Sequence, residues 1–148
     1  MSTPSSVTPR VVAVVGPLGS GKTSLLEALL FACRAIPKKG SVRTKDMVGD
    51  SSPEARARGM GVDTNLASAE FAGERWTFVD CAGSPEFAQE TRHALRIADV
   101  AVVVVDPDPS RALAAAPVLQ ALDAARVPHV VFVNKVDRPG AGAVLKDT

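Results

Sequence analysis

Residues 16–23 read Gly16-Pro17-Leu18-Gly19-Ser20-Gly21-Lys22-Thr23, the GxxxxGK[ST] pattern that cradles the phosphates of a nucleoside triphosphate. The spacing has a chemical reason at each step. Gly16, Gly19 and Gly21 allow tight turns that aim backbone N–H groups at phosphate oxygens. Lys22 carries a flexible point charge to the β- and γ-phosphates. Thr23 offers a hydroxyl oxygen to Mg²⁺, which prefers hard ligands. Pro17, Leu18, Ser20 and Ser24 complete the segment expected to line the nucleotide, and the helix that follows adds its positive dipole end.

The flanks suit that reading. Arg10-Val11-Val12-Ala13-Val14-Val15 is a short, β-branched run of the kind found in buried strands. Leu25, Leu26, Leu29, Leu30 and Cys33 follow at helical spacing. Further along, residues 35–61 are polar and carry six Lys or Arg, with little apolar periodicity. Residues 65–71 and 75–79 alternate apolar and polar side chains across a turn at Ala72-Gly73-Glu74, which predicts a hairpin. Ser84-Pro85-Glu86 has the chemistry of a helix start, with Phe87, Thr91, Leu95 and Ala98 on one face. Residues 100–105 predict a central parallel strand, residues 112–125 a helix regular from about Pro117, and residues 130–133 a further buried strand. Strands alternating with helices predict an α/β fold: a mostly parallel central sheet with helices on both faces and ligands at the strand C-terminal ends.

Two more polar signals fall at such ends. Asp80-Cys81-Ala82-Gly83 follows the strand that closes at Val79. An Asp there can hold Mg²⁺, directly or through water. A Gly there can give its N–H to a γ-phosphate and let the backbone move when that phosphate leaves. Asn134-Lys135-Val136-Asp137 follows the strand that closes at Val133. The Asp137 carboxylate can accept two hydrogen bonds from guanine that adenine cannot offer, and a site built for paired bonds rejects the wrong base. Asn134 can tie this loop to the phosphate loop, and the Lys135 stem can cover the base.

Bulk properties narrow the class. A chain of 148 residues with 46% hydrophobic content fits one domain with a true core. A net charge of +1 creates no global field for DNA or a membrane surface. Cys33 and Cys81 are isolated, so neither a disulfide framework nor a zinc site is expected. Residues 1–9 are Ser/Thr/Pro-rich and read as a flexible arm.

The three motifs in this order resemble the translational GTPases, and the segments between them resemble elongation factor G and the elongation-factor-G-like proteins. The resemblance runs from Val11 to Arg138. It rests on Ser24-Leu25-Leu26-Glu27-Ala28-Leu29-Leu30, on Ser52-Pro53-Glu54-Ala55-Arg56 before Arg58-Gly59, on Trp76, on residues 90–99 (ETRHALRIAD) and on Val133-Asn134-Lys135-Val136-Asp137-Arg138. It implies a P-loop G domain in a cytoplasmic protein that binds GTP, GDP and Mg²⁺ and acts on the ribosome. Lys22, Gly83 and Ser84 would stand at catalytic positions, and Thr23 and Asp80 would be the metal ligands. Residues 35–66 and 80–98 would be the two switches, ordered by the γ-phosphate. Residues 10–148 would form an incomplete G domain, truncated before a further guanine-covering loop, within a larger multidomain protein.

This chain departs from the family pattern at chemically important places. Ser84 stands where the family usually has a water-positioning His. Gly61 stands where a switch Thr meets Mg²⁺. Pro17 and Gly19 stand where the loop often has His and Asp. Because positioning supplies most of phosphoryl-transfer catalysis, these changes predict weak intrinsic hydrolysis. The alternative to a ribosome-dependent GTPase is therefore a hydrolysis-impaired module that senses guanine nucleotides.

Overall fold

The computed structural model describes residues 10–40, 65–83 and 88–137. The valine-rich run forms β1, Arg10–Val15, and the residues after the glycine loop form α1, Lys22–Ala32. The hairpin comprises β2, Asn65–Phe71, and β3, Glu74–Asp80; α2, Ala88–Ile97, and β4, Val100–Val105, follow. A short α3, Pro109–Ala112, passes through a 3₁₀ turn at Leu113–Ala115 into α4, Ala116–Ala125, and β5 is His129–Val133. The order across the sheet is β2-β3-β1-β4-β5. β1 pairs in parallel with β3 and β4, β4 pairs in parallel with β5, and β2 is antiparallel to β3.

Side-chain alternation along β1 divides the core into two layers. Val12 and Val14 face Leu26 and Leu30 of α1, together with Phe78 and Val104. Ala13 and Val15 face Ala94 and Leu95 of α2 and Leu122 of α4, together with Val79 and Val103. Helices thus cover both faces, as the element order predicts.

Polar contacts fix the joins. Asp99 sits between α2 and β4; its carboxylate accepts from the Val11 N–H at 2.7 Å, and its own N–H donates to the Val11 carbonyl at 2.9 Å. Glu27, buried on α1, accepts from the Gly40 N–H at 2.9 Å and ties down the segment after the helix. Ala72 and Gly73 both have positive φ, 54° and 78°, which matches the two-residue turn favoured by strand twist. Trp76 packs against the α1 layer with the Arg10 guanidinium 5.5 Å from its ring centre, so it serves hairpin packing.

Two sequence expectations are corrected. The helix after β4 begins earlier than residue 112, because the Asp108 carboxylate accepts from the Ser110 N–H and Pro109 fills the first helical turn; the regular helix does start beside Pro117. β5 is not buried. Val130 and Val131 are more than half exposed, because β5 is the outermost strand of the described sheet. The helix start at Ser84-Pro85-Glu86, with Phe87, lies outside the described residues, as do residues 1–9 and most of the first switch.

The packing predicts separate responses. Leu26 is wholly buried, so Leu26→Ala should cost about 2–5 kcal/mol in denaturant unfolding. The Cys81 thiol is buried, and burial first, then Asp80, pushes it up to about 12. Cys33 is partly exposed. In native protein at pH 8, a maleimide should label Cys33 and spare Cys81 until denaturant is added. Equal labelling of both thiols would contradict this packing.

Candidate nucleotide-binding site

β1, β3, β4 and β5 are mutually parallel, so their C-terminal ends share one edge of the sheet. Val15 leads there into the glycine loop, Asp80 into the Cys81-Ala82-Gly83 turn, Val105 into Asp106, and Val133 into Asn134. The cross-strand register places Val14 beside Asp80 and Val105 beside Val133. Backbone bonds extend the pairing past the strands: the Cys81 N–H donates to Val14 at 3.0 Å, and the Asn134 N–H donates to Val105 at 2.9 Å.

The loop encloses its lysine. Lys22 is buried, and its Nζ donates to the carbonyls of Gly16 at 3.0 Å and Pro17 at 2.9 Å. Burial lowers its pKa, and the charge of Asp80 pulls it back up. Those two carbonyls are ordinary amide acceptors, whereas a polyphosphate would offer full negative charge, a stronger partner for the ammonium. Gly21 caps α1 with φ 97°, in the left-handed region, and a Cβ there would strike the Asn134 side-chain amide. That amide donates to the Ser20 carbonyl at 2.9 Å. The structure therefore brings Asn134 onto the phosphate loop. Leu18 is half exposed at the loop tip, and the buried Ser20 hydroxyl has no hydrogen-bond partner among the described residues.

A hard-cation site fits at the start of α1. The Thr23 hydroxyl donates to Asp80 Oδ2 at 2.7 Å. Asp80 is only 4% exposed, and its Oδ1 has no partner among the described residues. Burial raises the Asp80 pKa; the Thr23 hydrogen bond and the Lys22 charge act in the opposite direction. A buried carboxylate oxygen with nothing to accept, beside a hydroxyl, is the donor set that Mg²⁺ suits. Gly83 lies against the loop: a Cβ on it would strike Lys22 Nζ and come within 2.8 Å of the Leu18 nitrogen. Close approach therefore demands glycine at this position. Cys81, at the same turn, is buried and its thiol is pushed up to about 12, so it is not a reactive thiol.

The last loop is bound on two sides. Lys135 adopts φ 60°. Its Nζ donates to the Gly19 carbonyl and lies 3.3 Å from Asp106 Oδ2. Asp106 is buried and also lies 3.6 Å from Arg111. Sequence reading missed Asp106, although the signal was there: it directly follows a parallel strand, as Asn134 does, and Asp80 closes one. Ser24 is half-buried on α1, and Asp137 is exposed in the turn after Lys135. The remaining expected residues, Ser84 and Gly61, lie outside the described residues.

Comparison with known proteins accords with this arrangement. Residues 8–147 match the elongation factor Tu GTP binding domain family. The chain belongs to that family. It is 47% identical over 138 residues to an elongation factor G-like protein of Synechocystis, covering 93% of this chain and 21% of that one. It is 33% identical to elongation factor G 2 of Streptomyces coelicolor, covering 95% of this chain and 21% of the relative. A solved structure from Thermus thermophilus superposes with a TM-score of 0.86 at 34% identity, over 95% of this chain and 22% of that one. The chain thus spans about a fifth of the length of these relatives. The translational GTPase resemblance and the P-loop fold both hold.

The burial of Asp80 carries a test. Its folded pKa is raised, so its charged form is disfavoured by folding, and stability is lost as pH rises above the ordinary carboxylate value. At pH 7 the neutral, isosteric Asp80→Asn should therefore stabilise the nucleotide-free protein, by about 1 kcal/mol or on the order of 3 °C in Tm. The same variant should lose most of the stabilisation that Mg²⁺ with GDP gives the unmutated protein. A nucleotide-free Tm that falls would overturn this account of the site.

Proposed function

We propose that this chain is the nucleotide-binding part of an elongation-factor-G-like translation factor, binding GTP and GDP with Mg²⁺ and hydrolysing GTP on the ribosome. The observation that carries the reading is the joining of the three motifs at one sheet edge, through Thr23 to Asp80 and Asn134 to Ser20. In this reading Lys22 leaves the Gly16 and Pro17 carbonyls for the β- and γ-phosphates. The backbone N–H groups of residues 16–24 surround the phosphates. Gly83 donates its N–H to the γ-phosphate, and its contact with Lys22 and Leu18 transmits the presence of that phosphate to α2. Asp137 selects guanine, while Asn134 and Lys135 hold its loop to the phosphate loop. Thr23 and Asp80 would hold Mg²⁺, which neutralises developing phosphate charge when bound.

Names among the relatives, elongation factor G 2 and a ribosome-releasing factor, support the ribosome as partner, and we propose the cytoplasm as the place of action. No helix among the described residues is long and apolar enough to cross a membrane. Ser84 and Gly61 favour slow hydrolysis, because an imidazole and a switch hydroxyl are both replaced. A second reading follows from the same residues: a switch that senses guanine nucleotides and hydrolyses them poorly.

Calorimetry with GDP, GTP and ATP, with and without Mg²⁺, tests the binding claim. GDP and GTP should bind at least about 100-fold more tightly than ATP, since the Asp137 pairing has no counterpart in adenine. Comparable ATP affinity would remove the guanine reading. Single-turnover hydrolysis by the intact protein with ribosomes separates the two functions. Cleavage is expected to be at least about 10-fold slower than for an ordinary elongation factor G, because a positioning group is missing. An ordinary rate would leave the sensing module without support.

A further inference from the structure

Asp106 has no place in the three motifs, yet it occupies the centre of their edge. It follows β4 directly and is 5% exposed. Its Oδ1 accepts from the Asp108 N–H at 3.2 Å, its Oδ2 lies 3.3 Å from Lys135 Nζ, and Arg111 approaches at 3.6 Å. Burial opposes its charge, but the Asp108 N–H, Lys135 and Arg111 outweigh burial and hold the carboxyl below its ordinary range. Asp106 is therefore a fixed anion that the phosphate chemistry does not use.

We propose that Asp106 is a positioning residue that holds Lys135 across the phosphate loop, and so sets how long a guanine nucleotide stays bound. Lys135 needs such a holder. Its backbone sits at φ 60°, a conformation that non-glycine residues keep only when their surroundings fix it. Its long stem has large rotamer freedom, and the Gly19 carbonyl is a single neutral acceptor. Adding the Asp106 carboxylate gives the ammonium two anchors, one on the phosphate loop and one at the end of β4. The stem then spans both loops in one conformation, placed to cover a base held by Asp137. The inference deepens the guanine-nucleotide reading above and rests on it.

A double-mutant cycle on the intact protein tests it, with dissociation of a fluorescent GDP analogue as the readout. Asp106→Ala should speed release about 10-fold while leaving the association rate within about twofold, a coupling typical of residues in direct contact. In a Lys135→Ala background the same substitution should add less than about twofold. A merely structural role for Asp106 predicts equal acceleration in both backgrounds, and that result would overturn the proposal. If Asp106→Ala does not fold, Asp106→Asn completes the same cycle, since it keeps the volume and removes the charge. An unmutated protein that fails to retain GDP would overturn the nucleotide reading itself, and this inference with it.

Discussion

The parallel pairing of β1 with a strand on each side is the constraint on which the rest of this structure depends. Four strands run in one direction, and each ends beside its neighbour. Residues far apart in sequence therefore meet without any loop having to search for its partner. Thr23 and Asp80 are separated by 57 positions, Ser20 and Asn134 by 114, yet each pair is in hydrogen-bond contact. The valines of β1 and β4 make this possible. They bury both faces of the sheet and fix its register, because a slip of one residue would turn each apolar side chain into the wrong layer.

The same edge concentrates charge that the fold alone has no use for. Lys22, Asp80 and Asp106 are all buried there. They solve the resulting problem differently. Lys22 borrows backbone carbonyls, and Asp106 is surrounded by two cations and an N–H. Asp80 keeps one oxygen without a partner among the described residues, and its proton affinity rises accordingly. A buried carboxylate with an idle oxygen works against stability. Its place at the end of β3 accords with the proposed site, in which its partner arrives with the ligand.

How much of this was legible in the sequence follows from how local each signal is. The phosphate loop, the turn at residues 80–83 and the run at residues 134–137 are contiguous, and their residue types have few other uses in that order. The two-sided sheet followed from apolar runs alternating with helical spacing. What could not be read depended on tertiary neighbours. β5 has the composition of a covered strand, but coverage is decided by elements that its own residues do not encode. The helix after β4 was placed late because the apolar period begins after the Asp108 cap that starts it. Glu27 carries no local sign of its role; the fold turns it inward to the Gly40 N–H. At Cys81, burial and the neighbouring Asp80 charge both oppose a thiolate.

Asp106 shows the limit of motif reading most clearly. A motif names residues that touch the ligand, whereas a site also needs residues that hold those residues still. Such a holder has no fixed sequence spacing, since it acts through space on a side chain from another strand. It is recognisable by its economy: a carboxylate, buried at a strand end, whose cationic partners belong to two different segments. Lys135 in turn has contacts on both the phosphate loop and the end of β4. The loop at residues 134–137 is thus attached to the glycine loop twice, by the Asn134 amide and by the Lys135 ammonium. A shift of either loop is felt by the other, so in the proposed reading affinity for a base and affinity for its phosphates are properties of one coupled edge rather than of two independent sites.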